Sequence, residues 1–323
     1  MIKRLSRQYN VNDSICKTNP ILGQAQSVAL RPPAKINLSL VVFGPRPDGF
    51  HDLHTVMATI DLHDDLTVSR KSSPGIDLQC FGEPCPAGPE NLVYQAVALL
   101  AEHAGIAPAV EIRLHKRIPC GAGLGGASSD AASCLLGLNR LWNLNLSCSQ
   151  LTHLAARLGS DVPFFLQGPV AVCTGRGEVV IPVPHRCSRT LLLIVPNLEA
   201  STAQVYRQYC HEERRCEDYM RRVNYFLRQG DLDGLVIQAI NSLDGACMKL
   251  FASLRQLRQR IESMRISPLQ ISGSGSCFFA STYSHEQANR WADQLQTLEA
   301  ASVRAVRFFN QQEPYLEVHH ADL

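Results

Sequence analysis

The sequence predicts a two-domain chain in which helices and strands are mixed. Three observations point to it. At 323 residues the chain is long enough to bury two cores. Segments alternating with a period of two are interspersed with segments of helical spacing along the whole length. Finally, Pro182-Val183-Pro184 divides the chain into halves that each open on a strand pattern, setting domains at 29–185 and 186–323 behind an extension at 1–28. A composition of 45% hydrophobic and 19% charged residues is ordinary for a globular protein. The net charge of +2 gives no reason to expect nucleic acid or an anionic membrane as partner. No apolar run approaches the ~20 residues a membrane helix needs.

Residues 1–28 are polar, carry Lys3, Arg4, Arg7 and Lys17, and lack the apolar core of a secretory signal. They read as a mostly disordered extension, with an organelle transit peptide as the alternative. Residues 34–43 alternate as a strand, with Ile36, Leu38 and Leu40 on one face and Lys35, Asn37 and Ser39 on the other. The turn Gly44-Pro45-Arg46-Pro47-Asp48-Gly49 follows, then one or two strands over 55–69. Helical spacing covers 91–104, a strand 109–114, and helices 128–142 and 151–158. Short strands near 170–173 and 179–183 close the first half. The second half begins with a strand at 191–195 and is helix-rich to 265. Strands at 269–271 and 277–280 flank a Gly-Ser-Gly-Ser turn, a helix covers 286–301, and 303–308 is the final strand before a solvated tail holding His319 and His320.

Twelve cysteines form no C-x-x-C pair, and most lie in apolar company, as Cys134, Cys173, Cys247 and Cys277 do. They read as small buried hydrophobes in a reducing, cytoplasmic setting. Eleven histidines likewise show no metal-ligand spacing.

The chemistry centres on Pro119-Cys120-Gly121-Ala122-Gly123-Leu124-Gly125-Gly126-Ala127-Ser128-Ser129-Asp130. Glycines running into a helix start can turn successive backbone N–H groups toward one anion, most plausibly a chain of phosphates. Ser128 and Ser129 add hydroxyls for capping or for a phosphate-bound metal. Gly121, Gly123 and Gly126 also satisfy the dinucleotide fingerprint, but the required acid is missing around Leu141-Trp142-Asn143-Leu144-Asn145. No Lys-Ser/Thr pair closes the loop as in a Walker A, and the protein-kinase motifs are absent.

Four other segments bear on the loop. Lys35 and Asn37 share one strand face, which alone suits a half-solvated strand. Phe50 and His51 follow a turn, which alone suits a hairpin. Asp161, in Gly159-Ser160-Asp161-Val162-Pro163-Phe164-Phe165, reads either as a functional carboxylate or as one favoured by a helix end capped by Ser160. Ser272-Gly273-Ser274-Gly275-Ser276 is a tight hairpin loop or a second backbone wall around the same phosphates.

Together, and in this order, these segments resemble the GHMP small-molecule kinases over residues 31–308. The resemblance implies two α+β domains, an ATP-binding N-terminal one and a ferredoxin-like C-terminal one, with the active site in the cleft between them. It also implies ATP and Mg²⁺ as cofactors, and a monomer or weak homodimer. Within the family the motifs are most similar to the kinases that phosphorylate the 2-hydroxyl of a cytidine-diphosphate-linked methylerythritol. A homoserine- or mevalonate-type kinase and a non-catalytic nucleotide-binding relative are the alternatives. On this resemblance Asp161 accepts or orients the hydroxyl proton, and Lys35 offsets charge beside it. Pro119, Gly121, Ala122, Gly123, Leu124, Gly125, Gly126, Ala127, Ser128 and Ser129 hold the phosphates, with Ser128 or Ser129 near Mg²⁺. Gly273, Ser274 and Gly275 form the second wall, and Asn91 and Lys116 line the nucleotide site. Phe50 and Tyr206 sandwich the cytosine, His51 bonds its edge, and Asn37 and Thr202 contact the polar remainder. Two positions depart from the family: Phe50 stands where Tyr is usual, and Ala127 where Gly or Ser is.

Overall fold

The computed structural model describes residues 25–184, 187–238, 240–296, 301–309 and 315–320. Its strands form three sheets. The first contains β1 (Ala25–Arg31), β4 (Asp65–Arg70), β5 (Gly75–Gly82), β6 (Ala109–Lys116) and β14 (Tyr315–His320), in the order β14-β1-β4-β6-β5. The second contains β2 (Pro33–Pro45), β3 (His51–His63), β7 (Val170–Gly175), β8 (Val179–Pro182) and β10 (Ile240–Asn241), ordered β10-β2-β3-β7-β8. The third, β11-β12-β9-β13, is built from β9 (Thr190–Pro196), β11 (Gln270–Ile271), β12 (Phe278–Thr282) and β13 (Ala301–Arg307). Pairing is antiparallel except β5 with β6 and β10 with β2.

The helices of the first half have local causes. Asn91 caps α1 (Leu92–Ala104) by accepting from Val93 N, and Gly105 ends it in a left-handed conformation. Helix α2 (Gly126–Leu141) starts straight out of the glycine loop. Ser147 and Gln150 form a capping box before α3 (Cys148–Leu158), three residues earlier than periodicity suggested. These helices cover the first sheet over a core that includes Leu66, Val68, Ile112, Leu114, Leu135 and Leu138. Gly137 lets α2 lie close on β1, since a Cβ there would stand 2.9 Å from Leu30 Cδ1. In the second half come α4 (Thr202–Gln208), α5 (Glu213–Gln229), α6 (Leu232–Val236), α7 (Asp244–Leu250), α8 (Ala252–Ser263) and α9 (His285–Leu295).

Several expectations are corrected. Residues 25–28, assigned to the extension, begin β1, because Val28 and Leu30 supply apolar positions that the first sheet buries; residues 1–24 lie outside the described residues. The strand at 301–307 is not the last. Where a solvated tail was expected, β14 pairs antiparallel with β1, with backbone register Ser27↔His319. The last helix stops at Leu295, and Ala301 already belongs to β13. Strand β2 buries both of its faces over its first ten residues, so the polar face with Lys35 and Asn37 meets protein instead of bulk water. The two halves also interleave: β10 joins β2 in parallel, at Ile240↔Ser39, which carries second-half residues into a first-half sheet. Every cysteine among the described residues is a free thiol, and Cys120 and Cys210 are exposed.

Candidate active site

A cavity of about 670 Å³ opens where β2, the glycine loop, the 3₁₀ turn Val162–Leu166, α4 and the Gly-Ser-Gly-Ser turn converge. Lys35, Asn37, Phe50, His51, Asp161, Thr202 and Tyr206 line it, together with Gly123, Gly125, Gly273 and Ser274. Residues from both sides of the expected boundary at 182–184 thus line one pocket.

Lys35 sits on β2 with its side chain only 4% exposed. Its Nζ donates to Asn37 Oδ1 at 2.7 Å and lies 3.5 Å from Asp161 Oδ2. A buried ammonium must be paired, and this one is held between an amide oxygen and a carboxylate at the cavity wall. Asp161 stands at the N-terminal end of the 3₁₀ turn, makes no capping bond there, and also lines the cavity. Its side chain is 35% exposed, leaving it accessible to a ligand. Asn37 Nδ2 donates to Thr55 Oγ1 at 2.8 Å, and that hydroxyl donates to Ser39 O at 2.6 Å, fixing the amide's orientation.

The two glycine-rich turns pack against each other. Gly121, Gly123 and Gly125 all have positive φ, at 66°, 76° and 70°. Gly123 O accepts from Ser272 Oγ at 2.9 Å, Leu124 O from Lys35 N at 2.9 Å, and Ala122 O from Cys277 N at 3.2 Å. A Cβ at Gly123 would meet Ser272 O at 2.3 Å, so only glycine permits this approach. Asn241 Nδ2 donates to Gly273 O at 2.8 Å, and Thr202 Oγ1 bonds Ser274 Oγ at 2.8 Å. The loop carbonyls are thereby bonded to protein, and Gly123 and Gly125 stand at the cavity facing Gly273 and Ser274.

At the other end of the cavity, Phe50 is 52% exposed and Arg176 places its guanidinium 4.9 Å from the ring centroid. His51 lies 5.4 Å from Tyr206, ring to ring. Burial lowers the His51 pKa, with the charge of His211 acting the same way, so the imidazole is neutral near pH 7. Burial raises the Tyr206 hydroxyl well above its ordinary value, with Asp161 adding to the shift.

Of the expected nucleotide residues only Gly123, Gly125, Gly273 and Ser274 line this cavity; Pro119, Gly121, Ala122, Leu124, Gly126, Ala127, Ser128, Ser129 and Gly275 lie outside its lining, as do Asn91 and Lys116. Asn91 uses its side chain as the α1 cap and donates from Nδ2 to Pro86 O at 2.6 Å. Lys116 is 2% exposed and paired with Asp64 and Asp130. Ser128 is half-buried at the start of α2, while Ser129 is fully buried and its Oγ has no hydrogen-bond partner. Sequence reasoning missed Arg176, Ser160 and Thr55 as cavity residues, and it assigned nothing to Asp64 or Asp130. Arg176 had one local signal, a cation between Gly175 and Gly177 just after a strand.

Comparison with known proteins places the chain in a family. A family model described as the GHMP kinases N terminal domain matches residues 91–169. The 4-diphosphocytidyl-2-C-methyl-D-erythritol kinase of Moorella thermoacetica is 39% identical over 266 residues, covering 81% of this chain and 92% of that protein. Its counterpart from Pelotomaculum thermopropionicum is 38% identical over 265 residues, covering 80% and 90%. A crystal structure of 4-(cytidine 5'-diphospho)-2C-methyl-D-erythritol kinase superposes with a TM-score of 0.71 at 35% identity, over 88% of this chain and all of that one, 100%. Homoserine kinase from Cytophaga hutchinsonii shares the fold, with a TM-score of 0.70 at 17% identity over 94% and 99% of the two chains. The chain therefore belongs to the GHMP kinases, in the family of the 4-diphosphocytidyl-2-C-methyl-D-erythritol kinases.

Proposed function

We propose that the protein transfers the γ-phosphoryl group of ATP to the 2-hydroxyl of 4-diphosphocytidyl-2-C-methyl-D-erythritol. The observation that carries this reading is the Lys35–Asp161 pair, 3.5 Å apart, at a cavity that also meets both glycine-rich turns. Phosphoryl transfer asks mainly for positioning and charge stabilisation. Asp161 orients the acceptor hydroxyl and takes its proton as the oxygen bonds to the γ-phosphorus and the bond to ADP breaks. Lys35, already held by Asn37, stands 3.5 Å from Asp161 and faces the charge gathering on the transferred group. The N–H groups of the glycine loop and the start of α2 cradle the phosphates.

Mg²⁺ would be held at the start of α2. The Ser129 Oγ lacks a protein partner and Ser128 stands beside it, so one of these hydroxyls would hold the ion. Bound there, Mg²⁺ supplies charge neutralisation on the phosphates. At the acceptor end Phe50 and Tyr206 present aromatic faces for cytosine, neutral His51 a ring nitrogen for its edge, and Asn37 and Thr202 polar contacts beyond it. The free thiols suit a reducing, cytoplasmic setting.

A substrate panel tests the reading: ATP-dependent phosphorylation of the CDP-linked polyol, of homoserine and of mevalonate, with CDP as competitor. Turnover of the CDP-linked polyol alone, inhibited by CDP, is expected. Turnover of homoserine or mevalonate instead would reassign the acceptor. In the same assay Asp161→Asn and Lys35→Ala should each lower kcat by about two to four orders of magnitude while ATP binding stays measurable. Near-normal turnover by Asp161→Asn would remove its role.

A further inference from the structure

Lys116 closes β6 with its side chain withdrawn from solvent, beyond the reach of the cavity. Its ammonium is gripped by Asp64 Oδ2 and, at 2.6 Å, by Asp130 Oδ2. Asp64 fills the one-residue break between β3 and β4 and is fully buried. Its other oxygen accepts from the backbone N–H groups of Arg117 and, at 2.8 Å, of Ile118, the residues that lead into the glycine loop. Asp130 stands in the second turn of α2, at the loop's other end. A Cβ on Gly126 would lie 3.1 Å from Lys116 Nζ, so the ammonium sits directly behind the first residue of that helix. One ionic cluster thus ties the β3–β4 corner, the loop's entrance and the loop's exit.

We propose that Asp64, Lys116 and Asp130 are positioning residues that lock the glycine loop in its anion-binding shape, and that Lys116 acts through the loop, not on the nucleotide. This rests on the reading of that loop as the ATP phosphate cradle. The physical need is specific. Three left-handed glycines between residues 119 and 126 leave the free segment with many backbone conformers, and ordering them on binding costs affinity. Gly123 and Leu124 are pinned from one side by Ser272 and β2, while the cluster pins both ends from behind. Burial raises the Asp130 pKa, with Lys116 opposing the shift and Asp64 adding to it, as expected of a cluster drawn tight in a dry interior. Two of the three N–H donors of Lys116 are taken by Asp64 and Asp130, and its side chain does not line the cavity.

A double-mutant cycle with Lys116→Met and Asp64→Asn separates the possibilities. ATP affinity is measured by calorimetry on the full-length protein, and amide hydrogen exchange is followed over residues 117–126 without ligand. If the cluster is a brace, each single variant weakens ATP binding by about tenfold and the double variant loses much less than the product of the two, because Asn removes one of the two buried carboxylates that Met leaves without their cation. Loop amides then exchange at least about tenfold faster in Asp64→Asn than in wild type. Strictly multiplicative losses of ATP affinity, or loop exchange unchanged in Asp64→Asn, overturn the proposal. Affinity for CDP should stay within about twofold throughout, as a purely global loss of stability would not allow. Wild-type protein that binds no ATP defeats the reading of the loop as a cradle, and the exchange experiment then still decides whether the cluster holds the loop.

Discussion

Replacing Gly123 by alanine is the sharpest probe of the site's architecture. Gly123 has a φ of 76°, where a Cβ costs about 1–2 kcal/mol in backbone strain alone. That new Cβ would also stand 2.3 Å from Ser272 O and 3.1 Å from Gly275 O. Both obstacles are backbone, so the turn itself must move by roughly 1 Å to reach ordinary contact. Moving it threatens the 2.9 Å bond from Ser272 Oγ to Gly123 O and the 3.0 Å bond from Gly275 N to Ser272 O. With each neutral hydrogen bond worth about 1 kcal/mol, the sum is ~3–4 kcal/mol. For a chain of this length that corresponds to a fall in Tm of roughly 4–6 °C. Because both turns flank the cavity, ATP affinity should drop with it, by about tenfold or more. Thermal denaturation with an ATP titration reads both effects. Gly105→Ala is the control: its φ is 67° but nothing lies within 4 Å of the new Cβ, so it should show the strain cost alone and no change in ATP binding. A Gly123→Ala protein as stable and as tight for ATP as Gly105→Ala would refute the idea that the two turns form one wall.

Two further outcomes follow from the site and its surroundings. Phe50→Ala should raise KM for the CDP-linked polyol by roughly tenfold or more through lost base stacking, with KM for ATP unchanged; stability should barely move, since the ring is already 52% exposed. Phe50→Tyr should behave as wild type, and equal KM values for all three proteins would remove the ring from the acceptor pocket. The second outcome concerns pH. Burial depresses the His54 pKa from 6.5 to about 4, and its Nδ1 has no hydrogen-bond partner. The unfolded chain therefore takes up a proton near pH 6.5 that the folded one resists. Stability is intact above that pH and falls by up to ~3 kcal/mol as pH drops toward 4. Urea midpoints at pH 7.5 and 4.5 should differ less in His54→Gln, and an identical difference would exclude His54 as the source.

What could be read from residue order is whatever a few neighbours decide. Alternation over residues 34–43 marked β2, Asn91 stood at the start of α1, and glycines 121–126 announced a close-approach loop running into α2. Such features depend on φ, on caps and on side-chain period, all acting within a turn or two. The motif resemblance then carried Lys35 and Asp161 to one site, and the structure places them 3.5 Å apart.

Tertiary structure alone decided what distant partners do with a residue. The family resemblance set Lys116 in the nucleotide site, yet Asp64, on a corner far upstream, and Asp130 both pair with it. Residues 315–320 looked like tail until β1 offered an open edge of unpaired backbone groups. Arg176 gained meaning only when its turn came over Phe50. In each case the deciding energy is a pairing of charge, backbone edge or ring between segments that nothing local holds together. Sheet register and loop closure set those pairings, and neither is written in any single stretch of the chain.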